Sequence, residues 1–193
     1  MNIANRITIS RIILTFIFLF FIIYYKGIFA KAAAFIIFSL AALSDFLDGR
    51  IAKKRNIVSD FGKFMDPVAD KILILAAFAA FVQMHLIEAW MLVIIIAREL
   101  LITSLRLFAL NKGRVLAASS SGKHKTAWQM FAIFWTLGFI LIKEVMLTFF
   151  TWNPDWEKFF HQGIYILMWI VVGFTLYSGI TYLWENRRVI TKI

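Results

Sequence analysis

The sequence predicts an all-α membrane protein, a six-transmembrane-helix bundle, and three observations predict it. The chain of 193 residues is 62% hydrophobic, with a mean hydropathy of +0.81, well above the apolar share of a soluble globular domain. Its apolar residues gather into runs of about 20, the length that crosses a bilayer. The runs do not alternate, so helices that satisfy their own backbone are the way across.

The first span falls at roughly 7–26. Arg6 and Arg11 before its apolar run and Ala30-Lys31-Ala32 after it imitate a secretory leader. The run is long and leads into further spans, so it is read as retained. The second span, at 28–48, has only Ala32 to Ser44 between the flanking charges Lys31 and Asp45. At about 1.5 Å per residue this is too short for ~30 Å of hydrocarbon, so its carboxylates sit at or below the headgroup level. The third, at 66–87, opens with Asp66 and Asp70, and the fourth, at 89–110, carries Arg98 and Arg106 inside an apolar run. The fifth, at 126–148, follows the basic stretch GKHKT. The sixth, at 161–184, is bounded by Trp152, Trp156 and Trp184, where an aromatic belt is expected. The many phenylalanines serve packing and lipid contact. No linker, low-complexity tract or repeat divides the spans, so residues 1–193 read as one membrane domain.

Orientation follows from the cations. Arg6, Arg11, Arg50, Lys53, Lys54, Arg55, Lys63, Lys112, Arg114, Lys123, Lys125, Arg187, Arg188 and Lys192 fall at the termini and in alternate connections. Lys26, Lys31, Lys143 and Lys158 fall in the others. The positive-inside bias puts both ends in the cytoplasm. The net charge of +10 then reflects topology and anionic headgroups rather than nucleic acid. The absence of cysteine excludes a disulfide, a thiolate nucleophile and Cys-ligated zinc.

The stretch SDFLDGRIAKKRNIVSDFGKFMDPVADK, residues 44–71, concentrates aspartates between two apolar runs. Asp45 and Asp48 are three apart at the end of span two; Asp66 and Asp70 are four apart at the start of span three. On a helix each spacing puts both carboxylates on one face, so the two pairs can converge. Four ionised carboxylates facing one another are unfavourable unless partnered. A network with neighbouring Lys and Arg is one solution and divalent cations are the other. With only Lys71 adjacent on the helix, the pattern favours metal, and hard oxygen donors select Mg²⁺ or Mn²⁺. Two such ions about 3.5–4 Å apart would clamp a diphosphate and stabilise the entering and leaving oxygens of an in-line displacement. Gly49 and Gly62 either let a phosphate approach the backbone or serve helix packing.

Asp45-x-x-Asp48-Gly49-x-x-Ala52 followed by Gly62-x-x-x-Asp66-x-x-x-Asp70 resembles the signature of the CDP-alcohol phosphatidyltransferases. That family's pattern has arginine where this chain has Lys53; lysine keeps the charge and loses the planar two-pronged donor, and Lys54 or Arg55 can share the role. The resemblance implies a six-helix membrane enzyme, commonly a homodimer, multi-pass in the plasma membrane of a bacterium, with its active site open to the cytoplasm. It implies transfer of a phosphatidyl group from CDP-diacylglycerol to an alcohol, with release of CMP. It implies that Asp45, Asp48, Asp66 and Asp70 hold the metal, with Asp70 also the base, and that Gly49, Lys53 and Ser59 lie near the donor nucleotide. Ser59 equally suits a helix cap before Phe61. Asn5-x-x-Thr8-x-x-Arg11 resembles the family's opening, where the chain lies against the cytidine site; without the resemblance it reads as an interfacial anchor.

The acceptor must be read from residues outside the signature. Arg98 lies ten residues after Glu88, about 15 Å along a helix, an unfavourable depth for a guanidinium. Arg106, eight residues on, shares nearly the same face. This stripe suggests capture of an anion, with Glu99 pairing a neighbouring cation to hold it in place; a purely structural Arg98–Glu99 pair is the alternative. Lys123 and Lys125 bracket His124 on the same membrane side and complete a basic ring. His124 reads as a solvated loop residue, and His85 and His161 lie on the opposite side. The stretches ARELLITSLRLFAL and GKHKT resemble the phosphatidylglycerophosphate synthase branch of the family, which implies sn-glycerol 3-phosphate as acceptor. Phosphatidylglycerol, as in cardiolipin formation, and an inositol phosphate are rival acceptors. A cation channel or transporter is a more distant rival, since it calls for polar groups spread through the membrane depth rather than gathered on one side.

Overall fold

The computed structural model describes the backbone of residues 3–55, 60–113, 116 and 121–190, and the side chains of 8–44, 69, 71–113, 116, 122, 124–187 and 190. Six helices follow in chain order: α1 (Ile3–Tyr24), α2 (Ile28–Arg55), α3 (Asp60–Gln83), α4 (Ala89–Asn111), α5 (Ser121–Phe149) and α6 (Pro154–Ile190). No strand occurs among the described residues. Each predicted span coincides with one helix, but several helices outrun the apolar stretch. α2 continues through Asp45 and Asp48 to Arg55, α3 begins six residues before Asp66, and α6 runs on to Ile190. The apolar pattern measures the hydrocarbon, whereas backbone hydrogen bonding continues along a helix after it leaves the lipid.

Among the described residues, His124–Phe149 and Pro154–Arg187 are long and apolar enough to cross a membrane. Thr8–Tyr24, Ile28–Ser44 and Lys71–Gln83 are shorter apolar stretches. Large apolar side chains such as Phe16, Phe29, Leu100, Phe159 and Ile180 stand exposed around the bundle, a surface that suits lipid and not water.

The turns show why the helices stop. After α1 the chain reverses at Gly27, whose φ of +95° is open to glycine and strained for other residues. Lys31 then donates to the carbonyls of Ile22 (2.7 Å) and Tyr25 (2.9 Å), satisfying acceptors that the end of α1 leaves open. After α3, His85 takes a left-handed φ of 56°. Its N–H donates to the Val82 carbonyl (3.0 Å) and that of Leu86 to the Phe81 carbonyl (2.9 Å), closing the helix end. Asn153 starts α6: its Oδ1 accepts the Asp155 N–H at 2.9 Å, Pro154 occupies the first helical position, and Asp155 and Glu157 lie in the first turn.

α1 packs on α2 and α3, α5 on α2, α3 and α6, and α4 on α3 and α6. The main core contains Phe18, Phe38, Phe78, Phe81, Met91, Ile95, Ile133 and Ile164. The Phe18 and Phe38 rings are 5.4 Å apart, as are those of Phe38 and Phe134. Buried Ala34, Ala41, Ala77 and Ala80 supply the small surfaces that let apolar helices close on one another. A second, smaller cluster of Ile102, Ala109, Leu116 and Tyr182 ties α4 to the end of α6.

Candidate active site

Helical spacing on α4 puts Arg98, Glu99, Ile102, Thr103 and Arg106 along one side, and the packing of α3 and α6 on α4 turns that side inward. The first residues of α5 approach from above through Gly122, Lys125 and Thr126. Together with Lys71 of α3 and Tyr182 of α6 they enclose a cavity of about 200 Å³.

Glu99 is its electrostatic centre. The residue is 8% exposed. Its Oε1 accepts from the Lys125 ammonium and from Arg98 Nη1 at 3.3 Å, and its Oε2 lies 3.6 Å from the Lys71 ammonium. Lys71 also donates to the Thr103 hydroxyl, which donates its own O–H to the Glu99 backbone carbonyl at 2.7 Å. Arg106 stands over the Tyr182 ring with its guanidinium carbon 5.9 Å from the centroid. On α6, a Cβ at Gly179 would meet Arg98 Cγ at 3.3 Å, so the missing side chain gives Arg98 its room. Arg98 Nε and the Tyr182 hydroxyl are buried with no hydrogen-bond partner among the described residues.

Among the described residues, four cationic side chains therefore line the cavity against one carboxylate, an excess of three positive charges. A pair locked purely for packing needs one cation for one anion; here the cations outnumber the group that holds them. Such a lining suits an anion, and a phosphate offers pairs of oxygens for guanidinium forks and a charge for the ammonium groups.

Of the basic residues singled out from the sequence, Arg98, Arg106 and Lys125 meet at this cavity. His124 is exposed. Lys71, read from sequence as the aspartates' neighbour, reaches across to Glu99 and Thr103 on α4 instead. Thr103 and Tyr182 carry no signal of their own in the sequence, because each joins the site through helix packing. Thr8 and Arg11 are both buried, at 1% and 2% exposure, one turn apart on α1.

Asp45 and Asp48 lie on the second half of α2, and Asp66 and Asp70 on the first half of α3, two helices that touch. The side chains of all four, with Asn5, Gly49, Lys53, Ser59, Gly62 and Lys123, lie outside the described residues. Asp70 directly precedes Lys71, so the helix that carries the last two aspartates also delivers a cation to the basic cavity. Among the described residues no three metal-ligating side chains gather.

An all-helical chain with this aspartate pattern beside a basic cavity matches a known class of lipid-synthesising enzymes. The CDP-alcohol phosphatidyltransferase family model matches residues 1–177, and the chain belongs to that family. The family generally depends on a divalent metal, and carboxylates are the oxygen donors that a hard cation takes. Among its relatives is the CDP-diacylglycerol–glycerol-3-phosphate 3-phosphatidyltransferase of Bacillus subtilis, 36% identical over 196 residues, covering 96% of this chain and 95% of that protein. The enzyme of the same name from Escherichia coli is 34% identical over 194 residues, with the same coverage. A probable phosphatidylglycerophosphate synthase of Mycobacterium tuberculosis is 37% identical over 134 residues, covering 68% of this chain and 64% of that protein.

Proposed function

We propose that the protein transfers the phosphatidyl group of CDP-diacylglycerol to sn-glycerol 3-phosphate, forming phosphatidylglycerol phosphate and CMP. The observation that carries the choice of acceptor is the cavity in which Lys71, Arg98, Arg106 and Lys125 gather around the carboxylate of Glu99. Phosphatidylglycerol and inositol phosphates are larger, and the compact basic cavity suits a small phosphomonoester better. The relatives named above act in the same sense by their names.

In this reading Arg98, Arg106 and Lys125, joined by Lys123, bind the acceptor phosphate and point its free primary hydroxyl toward the aspartates. Asn5, Thr8, Gly49, Lys53 and Ser59 hold the cytidine diphosphate end of the donor. Asp45, Asp48, Asp66 and Asp70 would hold two divalent ions, Mg²⁺ or Mn²⁺, which supply neutralisation of diphosphate charge. Asp70 accepts the hydroxyl proton as the acceptor oxygen bonds to the phosphatidyl phosphorus and the bond from that phosphorus to the CMP oxygen breaks. Holding both substrates in line removes the entropy of their encounter, so a weakly basic carboxylate suffices. Six membrane spans, cytoplasmic termini and site, and a homodimer complete the reading; the exposed apolar side chains and the alternating distribution of cations support its membrane part.

Purified protein given CDP-diacylglycerol, radiolabelled glycerol 3-phosphate and Mg²⁺ tests it. Label should enter lipid together with stoichiometric release of CMP. Product formed only when phosphatidylglycerol or an inositol phosphate is supplied would replace the acceptor, and no CMP with any alcohol would remove the reaction.

A further inference from the structure

We propose that Tyr182 binds the acceptor directly, its hydroxyl donating a hydrogen bond to the phosphate that the cavity's cations attract; the inference rests on the function proposed above. Tyr182 is 2% exposed, lines the cavity, and its hydroxyl is buried with no hydrogen-bond partner among the described residues. A buried O–H left unpaired is destabilising. Phenylalanine would fill the same space between α4 and α6 without that cost, so the hydroxyl has a use other than packing.

Among the described residues the carboxylate lining the cavity, Glu99, already serves Lys125 and Arg98 and lies beside Lys71. A ligand can supply the acceptor that the phenol lacks, and the surplus of positive charge among the described lining residues favours an anionic oxygen. The ring is held from two sides. Ile102 and Ala109 of α4 pack in its cluster, and the Arg106 guanidinium covers its face at 5.9 Å. A rigid phenol loses little entropy on making its bond.

Gly179, three residues earlier and so on the same side of α6, lets Arg98 lie close, with only 3.3 Å between Arg98 Cγ and the place a Cβ would occupy. α6 thus seats both guanidinium groups, Arg98 over a glycine and Arg106 over a tyrosine, and adds a neutral donor to the same cavity. A phosphate bound there meets cations from α3, α4 and α5 and a hydroxyl from α6. The neutral donor contributes geometry where further charge would only raise repulsion among the cations.

Tyr182→Phe removes the hydroxyl and keeps the ring. With the full chain in detergent or vesicles, KM for glycerol 3-phosphate should rise roughly tenfold or more, the range of one hydrogen bond to a charged group. KM for CDP-diacylglycerol should hold, and the inhibition constant of inorganic phosphate, competing with the acceptor, should rise in parallel. An unchanged acceptor KM overturns the proposal, as does an equal rise for both substrates, which would make the tyrosine a structural residue. A rise for glycerol 3-phosphate without one for inorganic phosphate overturns the assigned contact. Calorimetric titration of glycerol 3-phosphate into both forms measures the contact without turnover. If the unaltered chain binds glycerol 3-phosphate and makes no lipid, the reaction assigned above fails while the Tyr182 contact is still decided by the titration.

Discussion

Two carboxylates sit near opposite ends of the bundle and do different things with their cations. Glu157, in the first turn of α6, accepts from Lys143 and, at 3.3 Å, from Trp152 Nε1. Around it, Glu144 accepts the Gly27 N–H at 2.6 Å, and the Lys31 ammonium is taken up by two backbone carbonyls. Every charge in that group is matched by an opposite charge or a backbone dipole, and the group ties together the α1–α2 and α5–α6 turns. Glu99 is outnumbered, facing Lys71, Arg98 and Lys125, with Arg106 close by and a cavity alongside. A matched polar cluster closes on itself and fastens turns; an unmatched one remains open to an external charge.

The comparison can be broken at either end, beginning with the substitution of greatest effect. Asp66→Asn, on the helix that also supplies Lys71, should abolish CMP release with every acceptor, and residual turnover above background would sever the aspartates from the chemistry. Glu99→Gln leaves buried cations without their counter-ion, so the unfolding free energy in detergent should fall by about 3 kcal/mol, as expected when one partner of a buried charge network is lost. A loss no larger than that of a surface pair would show that the cluster is well hydrated. Arg106→Ala should raise KM for glycerol 3-phosphate roughly ten- to a hundredfold by removing a charge-assisted contact, with KM for CDP-diacylglycerol unchanged. Gly179→Ala pushes a methyl group against Arg98 Cγ. It should raise the acceptor KM a few-fold, which steady-state kinetics against the same two substrates resolves. Glu157→Gln is the smallest: its pair with Lys143 is about one-third exposed on both sides. Stability should change by less than about 1 kcal/mol, with turnover the same in the standard assay.

The two ends also differ in how far they can be read from the chain. Arg98 and Arg106 stand out because a guanidinium inside an apolar run needs a reason, and their spacing of eight assigns them one helix face. The aspartates stand out for the same reason and through a spacing that matches a family signature. Lys71 has an equally clear charge, but its neighbour in sequence is Asp70 while its partners in space are Glu99 and Thr103, on another helix. Tyr182 and Gly179 look like any tyrosine and glycine in an apolar helix; their roles appear only where α6 lies against α4. The end that closes the turns was less legible: the apolar pattern starts the sixth span at 161, whereas α6 begins at Pro154, and the reach of Glu144 to Gly27, across 117 positions, has no local trace.

The order of six helices, the stretches able to meet lipid and the aspartate signature are determined by the sequence alone, because apolar runs and fixed spacings are local properties that no distant contact has to supply. Which residues surround Glu99, and so the excess charge, the volume and the unpaired phenol of the cavity, were decided by tertiary structure. Those properties arise from side chains of four helices converging at one point, and convergence depends on how the helices pack rather than on any stretch of chain by itself.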